Sequence, residues 1–148
     1  TMTQKVLWKG SGIIIIDMPP GTGDTQLTFV QEVKIDGAII VSTPQDLALL
    51  DVKRGIQMFE KTGVKILGLI DNMSFFEGND GKKYKIFGEG GVKKTAEEFK
   101  KEFLGEIPID IDVGKSGDEG IPIVEKNPDH KISKIYIDFA NKIKSSYL

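Results

Sequence analysis

The sequence predicts an α/β fold with a mostly parallel, doubly wound sheet. Short runs of β-branched and apolar residues recur at Ile13–Ile16, Gly37–Val41 and Val64–Ile70, and none alternates to polar as a half-solvated strand would. Segments with helical apolar spacing separate them, and strands alternating with helices at this rhythm make βαβ units with right-handed crossovers.

The first run organises the chain. Ile13 to Ile16 read as a strand buried on both faces, and Pro19 and Pro20, which cannot donate to a ladder, stop it by Met18. Asp17 then stands at a carboxyl strand end, where open α/β sheets place ligands. Gly21 and Gly23 allow close backbone approach, and Asp24 or a neighbour can cap a helix through Gln26, Leu27 and Phe29. On spacing alone, Asp17 before Pro-Pro-Gly reads first as a turn former, and phosphate or metal chemistry is the second reading.

Gly37 to Ser42 is the second strand, followed by Thr43 as helix N-cap and Pro44 at the first helical position. Leu49, Val52, Ile56 and Phe59 share one helix face, which ends near Gly63. Val64–Ile70 is the third strand. Glu77 to Lys83 has the chemistry of a hairpin tip, with Phe75, Phe76, Tyr84 and Ile86 on its arms. Helical spacing resumes at Val92, Ala96, Phe99 and Phe103. Leu104–Ile109 is a last short strand, Asp110–Pro122 a polar, Gly-rich loop, and Asn127-Pro128 opens a terminal helix with Ile132, Ile135, Phe139, Ile143 and Tyr147 inward. Lone His130 reads as a surface residue in that helix's first turn.

The 148 residues suffice for one domain with a real core. At 28% charged and net −2, with lysines and acids interspersed, no basic face argues for nucleic acid or an anionic membrane surface. The apolar runs are too short to span a bilayer and no signal peptide opens the chain. Cysteine is absent, which excludes disulfides and thiolate metal sites from these residues and is compatible with a cytoplasmic location. The opening residues, Thr1 to Trp8, read as the last turns of a helix already under way, so a fragment is expected.

Asp17-Met-Pro-Pro-Gly-Thr-Gly-Asp24 after an apolar strand resembles the Walker B and switch II segment of the Mrp/ApbC family, the ATP-binding iron–sulfur carriers of the MinD/ParA class of P-loop ATPases. Val41-Ser-Thr-Pro-Gln-Asp46, Gly68-Leu-Ile-Asp-Asn-Met-Ser74, Ile86-Phe-Gly88 with Gly90-Gly91, Leu104-Gly-Glu-Ile-Pro108 and Gly117-Asp-Glu-Gly120 stand in the family's order.

The resemblance implies a single, N-terminally incomplete P-loop NTPase domain of MinD/ParA type over residues 1–148. It implies ATP and Mg²⁺ as cofactors, with Asp17 the catalytic residue holding Mg²⁺ through water. The Gly21 N–H would sense the γ-phosphate, Asn72 would hydrogen-bond adenine, and the loop from Pro108 through Asp110 to Asp112 would wall the base. Where the family's loop has an Arg, this chain has Gly114 and Lys115. A homodimer in the family and iron–sulfur client proteins are the implied partners.

Two family features are missing. No Gly-x-x-x-x-Gly-Lys-[Ser/Thr] phosphate loop occurs, and Gly88-Glu-Gly-Gly-Val-Lys93-Lys94-Thr95 reads as a Gly-rich helix entry instead. The family's Cys-x-x-Cys pair falls where this chain carries Glu77, Asn79 and Asp80, and a cluster needs thiolates. The expected function is therefore part of an ATP-hydrolysing iron–sulfur carrier or assembly protein, inactive as these residues alone. The alternatives are a MinD/ParA-like switch with no cluster role, or a non-catalytic fragment that only dimerises or binds a partner. The family fold also places the phosphate-loop strand between the Ile13–Asp17 and Ala38–Ser42 strands, so these residues by themselves are expected to be marginally stable and to associate.

Overall fold

The computed structural model describes residues 12–18 and 23–147. Three strands, β1 (Ala38–Ser42), β2 (Ile66–Glu77) and β4 (Phe103–Ile109), run parallel with β2 in the middle. The two-residue β3 (Lys83–Tyr84) pairs antiparallel with the far end of β2. Phe76 is opposite both Tyr84 and Ile109, so β3 continues the edge of β2 on which β1 lies.

Helices cover both faces, the doubly wound arrangement expected from the alternation. Leu69 packs with Val52 and Ile56 of α2 (Asp46–Lys61) and with Val92 and Ala96 of α3 (Gly91–Glu98). Ile70, Leu104 and Ile107 pack on the opposite side against Ile123 of α5 (Ile123–Lys126) and Ile132 and Phe139 of α6 (Lys131–Tyr147), with Val113 of α4 (Ile111–Asp118) beside them. Adjacent residues of one strand thus feed two cores, which is why the strands read as continuously apolar. At the bulge between Leu69 and Ile70, Leu104 is the extra residue, and Lys142 donates to its carbonyl at 3.1 Å. Gly105 follows with φ +146, and a Cβ there would lie 2.8 Å from the Phe139 ring. Only glycine fits.

The first predicted strand is not formed. Residues Ile13 to Met18 join no ladder, and Ile15 is 91% exposed. An apolar strand buried on both faces needs a hydrogen-bonding neighbour on each edge, and no described residue supplies one. The helix after it does form, as α1 (Asp24–Glu32), with Gly23 at its N-cap and no side-chain cap.

Other boundaries moved for local reasons. Gln45, not Thr43, is the N-cap of α2, since the Thr43 hydroxyl turns to the Gln45 side chain at 3.2 Å. β2 runs past Asn72 to Glu77 because the hairpin extends it. α3 stops before Phe103: Lys100 takes φ +53 and the Lys101 N–H reaches the Ala96 carbonyl at 2.8 Å, a left-handed helix end built without glycine. Phe103 instead opens β4 and still reaches the same core. The predicted Asp110–Pro122 loop is mostly α4, nucleated by the Asp110 carboxylate accepting from the Asp112 N–H at 3.0 Å.

Candidate functional site

The carboxyl edge of β2 and β4 gathers three of the predicted residues. Asn72 is opposite Ile107, which places it one position from Pro108 across the ladder, and Asp110 follows where β4 gives way to α4. Between Asn72 and Phe76 the β2 register slips, Met73 takes φ +53, and the buried Ser74 hydroxyl donates to the Ile107 carbonyl at 3.2 Å. That bond pins the bulge and so the direction in which Asn72 leaves the sheet. The Asn72 amide is half-buried and makes no side-chain hydrogen bond to a described residue. A half-buried amide on a pinned bulge, with free donors and an acceptor, fits the edge of a planar heterocycle.

Asp110 is differently employed. Besides capping α4, its carboxylate lies 3.4 Å from Lys131, which also reaches Glu77 at 3.5 Å. Its oxygens are thus engaged within the protein, and what the Pro108–Asp110 segment can offer a ligand is its backbone and its apolar wall.

His130 is no plain surface residue. It lies just before α6, its side chain is 16% exposed, and its Nδ1 accepts from the Ile132 N–H at 3.2 Å, so it caps the helix. Nε2 faces Asp112 at 3.7 Å and Asp110 at 4.0 Å. These three side chains could in principle gather around a metal ion. With Nδ1 accepting from that N–H, a neutral ring carries its proton on Nε2, which leaves no lone pair there for a metal.

Asp17 is exposed, makes no ion pair with a described residue, and is joined to the other candidates by no ladder. Gly21 lies outside the described residues. An exposed carboxylate fits a hard, hydrated cation held through water. The Gly88–Lys94 stretch is a helix entry, as predicted, with Gly90 as a left-handed N-cap of α3.

A group that sequence reasoning missed is Asp71, 1% exposed, its Oδ1 without a hydrogen-bond partner among the described residues. Burial, with Glu106 nearby adding to it, pushes its carboxyl from 3.8 up to about 6, against the pull of Lys85. The signal was in the sequence as an acid inside an apolar strand. Because its pKa is raised on folding, Asp71 contributes stability below pH 3.8 that is lost as pH rises through about 6. The ionised form is worse by on the order of 3 kcal/mol.

A family model for ParA-type proteins, described as NUBPL iron-transfer P-loop NTPase, matches residues 1–144. The chain belongs to that family. Over 143 residues, 96% of the chain, it is 43% identical to the iron-sulfur cluster carrier protein of Salmonella typhimurium, of which it covers 39%. It is 45% identical, again over 143 residues, to the mitochondrial iron-sulfur protein required for NADH dehydrogenase of Arabidopsis thaliana, of which it covers 46%. Among solved structures, a nucleotide-binding protein from Archaeoglobus fulgidus in complex with ADP is 46% identical, with TM-score 0.62 over 70% of this chain and 43% of that one. The chain therefore spans less than half the length of these relatives. Within this P-loop NTPase family, the edge that carries Asn72 and Pro108 is where a doubly wound sheet presents its crevice. No helix among the described residues is long and apolar enough to cross a membrane.

Proposed function

We propose that the protein carrying this chain is an ATP-dependent iron–sulfur cluster carrier, in which these residues supply the base-recognition edge and the magnesium carboxylate of the nucleotide site. The observation that carries the nucleotide part is the half-buried Asn72 amide, without a hydrogen-bond partner among the described residues, on its pinned bulge beside Pro108. Family membership and the carrier relatives support the cluster part.

Asn72 reads the base edge through its amide, and the Pro108–Asp110 segment walls the ring. Asp17 would hold magnesium through a water, and the Gly21 N–H would meet the terminal phosphate. Magnesium, when bound, neutralises charge developing on the phosphate oxygens. The cluster is cargo, and the present residues hold no thiolate for it, so its ligands lie elsewhere in the carrier. A homodimer, iron–sulfur clients and a cytoplasmic location complete the reading.

The natural full-length protein, loaded anaerobically with iron and sulfide, should pass a cluster to an apo-ferredoxin, with transfer altered by ATP. The absence of cysteine from these residues favours a second reading, a nucleotide switch that positions a partner. ATP turnover without any bound cluster would select it and displace the carrier reading.

Asn72→Ala in the same protein should weaken ATP binding about tenfold, the loss of one or two hydrogen bonds to the base. The inosine nucleotide should lose discrimination against ATP in parallel. Calorimetry showing unchanged affinity for both would remove Asn72 from the site.

A further inference from the structure

β2 and β4 pair on both sides of the bulge at their carboxyl ends, and the site residues lie between the two pairings. Asn72 is opposite Ile107, Phe76 is opposite Ile109, and between these pairs Met73, Ser74 and Phe75 stand against Pro108 alone. The Ser74 hydroxyl closes the near side on the Ile107 carbonyl. The far side is closed by the Phe76–Ile109 pair, and the next residue on each strand is an acid, Glu77 on one and Asp110 on the other. Two like charges therefore stand at neighbouring ends of parallel strands, where their repulsion works to splay the pair.

The Lys131 ammonium meets both acids, 3.5 Å from Glu77 and 3.4 Å from Asp110. Lys83, opposite Glu77 in the hairpin, is turned over the Phe75 ring at 4.3 Å instead. The Asp110 side chain is 12% exposed, so its charge is less screened than that of an ordinary surface acid.

Lys131 opens α6, where the helix dipole disfavours a cation, and that first turn carries no acid of its own. Its ammonium is held by acids from two other segments. The His130 Nδ1 accepts from the Ile132 N–H at 3.2 Å, a bond that closes around Lys131 and fixes the turn on which it stands.

Resting on the nucleotide reading above, we propose that Lys131 is a positioning residue for base recognition, a clamp that holds the ends of β2 and β4 together and so keeps Asn72 and Pro108 at their spacing. With the ammonium in place, the repulsion between Glu77 and Asp110 is offset and the Phe76–Ile109 pair stays closed. Without it the far side of the bulge loosens, and Asn72 loses its alignment with the base. Lys131 acts through the two strand ends and not on the nucleotide.

The test uses the natural full-length protein. Lys131→Met keeps an apolar stem and removes the charge. Without nucleotide, hydrogen exchange at the backbone amides of Phe76, Glu77, Ile109 and Asp110 should quicken about threefold in this variant. Its KM for ATP should rise about three- to fivefold, with kcat at saturating ATP kept. Lys131→Arg should restore both readouts by returning the cation, and Lys131→Met combined with Glu77→Gln should restore them by removing the repulsion. In the Asn72→Ala background, Lys131→Met should add nothing to KM. Exchange unchanged by Lys131→Met would overturn the clamp, as would a loss that neither Lys131→Arg nor Glu77→Gln restores. So would quickened exchange with KM unchanged, while Asn72→Ala still raises KM. An unchanged KM in Asn72→Ala is a separate failure: it removes the nucleotide reading, and the positioning role with it, even where exchange has quickened.

Discussion

Asp17→Asn in the full-length protein is expected to lower ATP turnover by roughly two to three orders of magnitude while leaving the fold intact. The fold should survive because Asp17 is exposed and belongs to no ladder, so its carboxylate holds up nothing in the described core. Turnover should suffer because magnesium is a hard cation that requires an anionic oxygen close by, even when a water lies between. The amide keeps the shape and loses the charge. Phosphate release under saturating ATP and magnesium, read beside a thermal melt, separates the effects. Normal turnover in the variant would take Asp17 out of the mechanism; a collapsed melt would show that its role is structural.

The second large effect concerns a chain limited to these 148 residues. Purified alone, it should associate in a concentration-dependent way. Ile13 is 59% exposed, Ile15 91%, Ile39 40% and Val41 55%, and among the described residues β1 pairs with β2 along one edge only. That edge offers N–H and C=O groups beside apolar side chains, the arrangement that recruits another strand. The Ile13–Ile16 run does not close onto β1, so neither relieves the other. Light scattering should show mass rising with concentration, and Ile15→Lys should reduce it, because a charge on an open apolar strand opposes pairing. The full-length protein should be monodisperse under the same conditions. A concentration-independent monomer with a sharp, reversible melt would show that the exposed run finds cover within the chain.

Much of the architecture was legible because it is local. The period of Leu49, Val52 and Ile56 is that of one helix face, and all three reach the core they were assigned to. The Glu77–Lys83 tip was legible from turn chemistry, and Asp80 pins it with bonds to the Lys82 N–H and the Tyr84 hydroxyl, both at 3.1 Å. Asn72 and Pro108 were singled out by a family resemblance, and the β2–β4 register places them as neighbours.

What the sequence by itself determined about this protein is therefore its alternation of strands and helices, its two-faced core and its family, all written in short-range pattern and motif. Tertiary structure alone decided the rest. Ile13–Ile16 have every propensity for a strand, yet a strand exists only through hydrogen bonds to a neighbour, and propensity cannot supply one. Asp110 and His130 read as loop and surface residues until Lys131, Glu77 and the Ile132 N–H came within reach from distant or newly turned segments. Asp71 read as one acid among many until the sheet buried it, because the free energy of a charge depends on the medium around it, and that medium is set by the packed chain.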